Sequence, residues 1–240
     1  HTKNEFELKK SAAKRLETID PNEFHYAIAN DTPGHLLTTN YDFTIERAVG
    51  DFTRNPVLPE TKYSIFRRVL TDSSNVWHIH GDIEAPNSIM LGHEHYLGCV
   101  QKIRNYLSSG VSSEKVVGMV KSPLKKKEPK FDFDRKHGNS ENLFSWVDIF
   151  LRDDLHIIGF KLEYTEQHLW SLLTQKTHLR REYPSQIGKA HYHFFKKEGL
   201  TEEEKAKKSI LESLGVEVVT TEWKDTRHEA YRYFCDKYLS

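Results

Sequence analysis

Apolar positions recur along this chain in two rhythms, one of three to four residues and one of short unbroken runs, and the two rhythms alternate. Phe6, Leu8, Ala12, Leu16 and Ile19 lie among charges and predict a surface helix over 3–19 that stops before Asp20-Pro21. The run His35-Leu36-Leu37-Thr38-Thr39 predicts a short buried strand. Ile45, Ala48 and Val49 then share one helical face, with Asp42 placed to cap the helix and Gly50 to stop it. A polar loop holding Pro56 and Pro59 follows. "VWHIH" (76–80) predicts a strand closed by Gly81-Asp82, "SIML" (88–91) another short strand, and a helix follows near 94–107.

The second half repeats the alternation. Residues 121–142 are polar and broken by Pro123, Pro129 and Gly138, which predicts an exposed loop or lid, with Lys125-Lys126-Lys127 as a solvated face. Leu143, Phe144, Val147, Phe150 and Leu151 fit a helical stripe, and "LHIIGF" (155–160) a buried strand. A helix from Thr165 carries Leu169, Leu172 and Leu173, and "AHYHFF" (190–195) is a strand. Thr201 and Glu204 form a capping box for a helix with Ala206, Ile210, Leu211 and Leu214. "VEVVT" (216–220) is the last strand, and a final helix runs through Tyr231 and Phe234. Strands alternating with helices predict an α/β domain, a parallel sheet with helices on both faces, over 1–240. In such folds ligands sit beyond the carboxyl ends of the strands.

Composition narrows the class. The 240 residues suffice for a substantial core, and 35 basic residues balance 35 acidic ones, so no net field points to nucleic acid. Charged residues make up 29% and the longest apolar runs are a few residues, so neither a membrane span nor a secretory signal is expected. The two cysteines, Cys99 and Cys235, form no Cys-x-x-Cys pair, which argues against a cysteine zinc site and for a reducing, cytoplasmic location. Trp146, Trp170 and Trp223 lie on expected helices and read as core or interface. The chain starts at His1 rather than methionine, which processing, a tag remnant or sequence upstream would each explain.

Candidate chemistry gathers at the strand ends. Asn40 and Asp42 follow one strand, His80-Gly81 another, and Gly159-Phe160 a third. An asparagine amide can orient a water or hold a ribose hydroxyl. A histidine can take a proton near neutral pH, and a glycine after it lets a ligand approach the backbone. Asp42 shapes a pocket or only caps a helix. His78 and His80 share a strand face, and with Asp82, His93 and His95 they allow a metal site. The His-x-His-x-Asp pattern lacks the further histidine such hydrolases carry after the aspartate, since Ile83 stands there, and His78 packing against a helix is the alternative.

"TTNYD" followed by "HIHGD" resembles the sirtuin-like (SIR2-like) family, whose members carry a Thr-x-Asn-x-Asp segment and a later His-Gly at strand ends. "IIGF" (157–160) looks like the family's later strand ending in glycine at the cofactor pocket. "SIMLGHEHY" is similar to the piece after His-Gly in the prokaryotic NAD-hydrolysing antiphage defence branch. The resemblance covers roughly residues 35–97 and 143–220. It implies a doubly wound, Rossmann-like fold and an NAD glycohydrolase of a bacterial antiphage system, cleaving NAD to nicotinamide and ADP-ribose. Asn40 would position the ribose or the attacking water, and His80 would be the general base. Asp42 would hold the nicotinamide end, and Thr39, Gly81, Gly159 and Phe160 would line the cofactor pocket. NAD would be the substrate, with no metal, and a homo-oligomer or a defence-system protein would be the partner, as in abortive infection.

Three departures qualify the resemblance. Two isolated cysteines cannot build the four-cysteine zinc module of deacylating sirtuins, which favours NAD hydrolysis or plain binding. No Gly-x-Gly occurs in the chain, although the family opens with a strand, a glycine-rich turn and a helix that hold the pyrophosphate. That first unit is expected upstream of His1 or lost. Lys161 replaces the small hydroxyl residue usual after the glycine, and meets a phosphate or solvent. The rival readings are a catalytically silent nucleotide- or partner-binding module, related to the abortive-infection AbiH family, and a metal-dependent hydrolase using His78, His80 and Asp82.

Overall fold

The computed structural model describes residues 2–31, 34–54, 62–109, 145–223 and 225–239. The expected loop at 121–142, its lysine run, Leu143, Phe144, Pro56 and Pro59 lie outside the described residues. The chain divides into two compact units, His1–Trp146 and Val147–Ser240.

The first unit opens with helices α1 (Thr2–Leu16) and α2 (Glu23–Asp31). Strand β1 (Gly34–Thr38), helix α3 (Thr44–Val49), β2 (Phe52–Arg54), β3 (Arg68–Thr71) and β4 (Ser74–His78) follow, then a 3-10 turn (Pro86–Ser88) and α4 (His93–Ser109). The sheet runs in the order β1-β4-β3-β2. Strands β1 and β4 pair parallel, in the register Leu36 with Val76 and Thr38 with His78. Strands β2 and β3 pair antiparallel to each other, and β3 antiparallel to β4. Central β4 is buried along most of its length, as a strand with neighbours on both edges should be. Ala13, Phe43, Val69, Ile83 and Ile89 form an apolar core, with Leu16, Tyr41, Phe52 and Leu91 packed against it.

In the second unit, helix α5 (Trp146–Arg152) leads into β5 (Leu155–Ile157). Then come α6 (Gln167–Glu182), β6 (Ala190–Lys196), α7 (Glu202–Ser213), β7 (Glu217–Glu222) and α8 (Arg227–Tyr238). The three strands form a parallel sheet in the order β5-β6-β7. The capping box on α7 is present: Glu204 N–H donates to Thr201 Oγ1 at 3.3 Å, and Thr201 N–H donates to Glu204 Oε2 at 2.9 Å. The buried Lys176 ammonium on α6 donates to the carbonyls of Leu151 and Asp153 at the end of α5, the charge a helix C-terminus favours. Burial pushes its pKa down to about 8.

The α/β class stands, with parallel pairing in both sheets and helices between the strands. Several details differ from expectation. Among the described residues the strands lie in two sheets rather than one, and the first is mixed, because β3 pairs antiparallel with β4 and β2 antiparallel with β3. "SIML" is no strand: Pro86 starts a 3-10 turn, and Met90 N–H makes one bond to His80 O at 2.9 Å before the chain enters α4. Strand β4 ends at His78 and β5 at Ile157, so His80 and Gly159 stand beyond the strands. Helix α6 starts at Gln167, not Thr165, with Glu166 as its N-cap. Among the described residues no helix is long and apolar enough to cross a membrane.

Candidate active site

The β1–β4 register decides the site's geometry. Thr38 and His78 are paired across parallel strands, and both strands end there. Asn40 and His80 each follow two residues later, at the same level beyond adjacent carboxyl ends. The segments are then tied together. Ile79 N–H donates to Thr38 O at 3.1 Å and Ile83 N–H to Tyr41 O at 2.9 Å. The Tyr41 hydroxyl donates to Met90 O at 2.7 Å, and Met90 bonds back to His80 O.

Asn40 is exposed, and its backbone is held on both sides. Its N–H donates to Thr38 Oγ1 at 3.1 Å, and its carbonyl lies 3.1 Å from His78 Nδ1. Thr39 is half-buried beside it. Asp42 Oδ1 accepts the Thr44 N–H at 3.0 Å and also the Thr44 hydroxyl, a local turn one residue before Phe43, the N-cap of α3. The N-cap expected at Asp42 thus falls on Phe43, and Asp42, half-buried, stands two residues after Asn40 in the turn.

His80 is only 3% exposed, with the Tyr96 ring 5.4 Å away between centroids. Burial pushes its pKa down to about 4, so the imidazole is neutral near pH 7 and able to accept a proton. Gly81 has φ +98°, in the left-handed region that favours glycine. A Cβ there would lie 2.4 Å from Ser88 O and 2.6 Å from Ile89 N. The glycine thus lets the chain after His80 fold tightly against the segment leading to α4.

A buried frame supports this turn. Arg67 Nε lies 3.4 Å from Asp82 Oδ2, with the side chains 1% and 0% exposed. Asp82 Oδ1 also accepts the Ala85 N–H at 2.9 Å, while the Ser88 hydroxyl accepts the Asp82 N–H and donates to Ala85 O. His78 Nε2 sits 2.6 Å from Glu46 Oε1, both fully buried. His95 accepts the Leu91 N–H at 2.6 Å through Nδ1 and faces Lys62 and Glu5 through Nε2. Of the residues considered together as a metal set, three face different partners: His78 faces Asn40 O and Glu46, Asp82 faces Arg67 and a turn, and His95 faces the start of α4. His93 is exposed.

Gly159 and Phe160 follow β5 in the second unit. Gly159 has φ +62° and is exposed, and its α-carbon faces the Tyr231 hydroxyl: a Cβ would lie 2.7 Å from that oxygen. The Phe160 and Lys161 carbonyls accept the Tyr192 hydroxyl at 2.7 and 3.2 Å, and the Lys207 ammonium donates to Lys161 O at 2.9 Å. The same unit holds three histidines on one face of β5 and β6. His156 Nδ1 is 3.1 Å from His193 Nε2, and His191 stacks on His156 at 4.5 Å.

Sequence reasoning missed Glu46, Arg67 and Tyr41. Glu46 carries one legible signal: in the six-residue helix TIERAV it stands between Ile45 and Ala48, and it is buried. Arg67 has none, since its partner Asp82 is joined to it only through the fold. Tyr41 lies inside the motif but reads there as a spacer.

No curated protein matches this chain. The SIR2-like domain family matches residues 34–219, from the first residue of β1 into β7 and across Asn40, His80 and Gly159. That match covers well over half of the sequence, and the chain belongs to the SIR2-like domain family.

Proposed function

We propose that this protein is an NAD glycohydrolase acting in bacterial antiphage defence. One observation carries the chemistry: the Thr38–His78 register sets Asn40 and His80 at the same level beyond adjacent parallel strands. SIR2-like proteins use NAD, and the parts needed for hydrolysis are an amide to orient the ribose or water and a neutral base to take a proton. Asn40 offers the exposed amide and His80 the neutral imidazole. The bond between nicotinamide nitrogen and ribose C1′ breaks, and the electron pair leaves with nicotinamide. Water adds to C1′ as His80 accepts its proton, so NAD and water become nicotinamide, ADP-ribose and a proton. Asp42 holds the nicotinamide end, and Thr39 and Gly81 line the pocket. The antiphage role rests on the likeness of "SIMLGHEHY" to the defence branch. A homo-oligomer or a defence-system protein is the expected partner, and the cytoplasm the expected location.

The test follows free nicotinamide after mixing protein with NAD. Release by the wild type, lost in both Asn40→Ala and His80→Ala at unchanged melting temperature, supports the assignment. Equal release from His80→Ala overturns the role of the base. A second reading, nucleotide binding without turnover, is favoured by the lack of a Gly-x-Gly turn in the sequence. It is supported if NAD or ADP-ribose raises the melting temperature while no nicotinamide appears.

A further inference from the structure

We propose that Glu46 and His78 form a buried clamp whose task is to fix Asn40, so that His78 is a positioning residue of the site rather than core filling or a metal ligand. The proposal deepens the reading of Asn40 given above. Asn40 lies in a turn, where a side chain would ordinarily sample several directions. Here its N–H is bound to Thr38 Oγ1 and its carbonyl faces His78 Nδ1 at 3.1 Å. A carbonyl only accepts, so Nδ1 carries the proton and the tautomer is set. That leaves Nε2, 2.6 Å from Glu46 Oε1, to share a proton with the carboxylate, whichever of the two holds it.

The chain path closes the device on itself. Asn40 is followed by Asp42, which accepts the Thr44 N–H, and α3 then brings Glu46 against His78, the last residue of β4. Phe43 presses edge-on against the imidazole at 5.1 Å and 87°, which restricts ring rotation. Both backbone groups of Asn40 are thereby held and its side chain alone is left exposed, which is the preorganisation a positioned amide needs.

Stability alone does not explain the pair. Glu46 Oε2 is buried with no hydrogen-bond partner among the described residues. A buried ionisable pair with an unmet oxygen is commonly matched or bettered in stability by apolar side chains of similar volume. Its place against the Asn40 carbonyl fits a positional role.

Two substitutions separate position from packing. In His78→Asn the amide nitrogen reproduces Nδ1 and reaches the Asn40 carbonyl but not Glu46. In His78→Gln it reproduces Nε2 and reaches Glu46 but not Asn40. Each loses one of two buried bonds, so similar losses of melting temperature are expected. For nicotinamide release, His78→Gln is expected to lose about 10- to 100-fold in kcat with KM little changed, while His78→Asn stays within about threefold of wild type. Equal losses in both variants, tracking their melting temperatures, would overturn the proposal. A second readout is independent of turnover: the Asn40 side-chain amide in a 15N-correlated NMR spectrum, assigned by its loss in Asn40→Ala. One sharp pair in wild type and His78→Asn, broadened or doubled in His78→Gln, supports the clamp. Unchanged resonances in all three refute it. Should wild type release no nicotinamide, the glycohydrolase reading fails while the spectrum still decides the clamp.

Discussion

Replacing Gly81 with alanine should damage this protein far more than the same change at Gly159, although both glycines follow strands and both have positive φ. At Gly81 the added methyl meets backbone: Ser88 O at 2.4 Å, Ser88 C at 2.5 Å and Ile89 N at 2.6 Å. These atoms cannot rotate away, because Ser88 and Ile89 are held in the 3-10 turn and Ser88 Oγ is bonded within the Asp82 loop. The left-handed backbone costs a non-glycine residue about 1–2 kcal/mol, and forcing one more carbon into a packed site adds about 1–3 kcal/mol. A loss of roughly 2–5 kcal/mol is expected for Gly81→Ala. At Gly159 the methyl meets only the end of the Tyr231 side chain, 2.7 Å away, which can swing aside. There the cost should stay near the backbone component, about 1–2 kcal/mol. The assay is urea denaturation of both variants beside wild type, followed by tryptophan fluorescence, with midpoints compared at matched slope. Gly81→Ala unfolding at or above the midpoint of Gly159→Ala would refute the close-approach argument. A stable Gly81→Ala would also mean that the segment after His80 relaxes freely, and then the register argument for His80 loses its anchor.

Further outcomes follow from the same geometry. If His80 is the base, the acid limb of kcat/KM against pH should fall near pH 4, where burial puts its pKa, and not near the ordinary histidine value of 6.5; a limb at 6.5 would show that His80 is not the titrating group. Burial, with the nearby His156, His191 and Lys237, holds His193 at about 4, so the folded protein resists a proton that the unfolded chain accepts. Stability should therefore be full above the unfolded value near 6.5 and decline as pH falls toward 4, by about 2 kcal/mol after allowing for solvent screening. His193→Phe should flatten that decline in a melting series from pH 7 to pH 4, and an unchanged slope would count against it. Thr201→Ala removes one half of the capping box on α7 and should cost about 1 kcal/mol, read as a lower urea midpoint.

The local elements were legible because their causes are local. The helical stripes at Leu169, Leu172 and Leu173, the Thr201–Glu204 box and the apolar run of β6 appear where the pattern puts them. Asn40 and His80 stand beyond the ends of β1 and β4, two residues after each strand. Which strand ends lie side by side was a matter for the fold. Parallel pairing of β1 with β4 joins residues some forty positions apart, and no periodicity encodes a partner across that distance. The mixed sheet went unread for the same reason: β2 and β3 are three and four residues long and become strands only by pairing. Asp82 lies against Arg67, and the two ring nitrogens of His78 face Asn40 O and Glu46, pairings that no spacing in the sequence encodes. The sequence by itself determined the class of elements and which polar residues follow them. The tertiary structure decided which ends adjoin and which polar side chains support them, because hydrogen bonds and buried charges choose partners by distance in space.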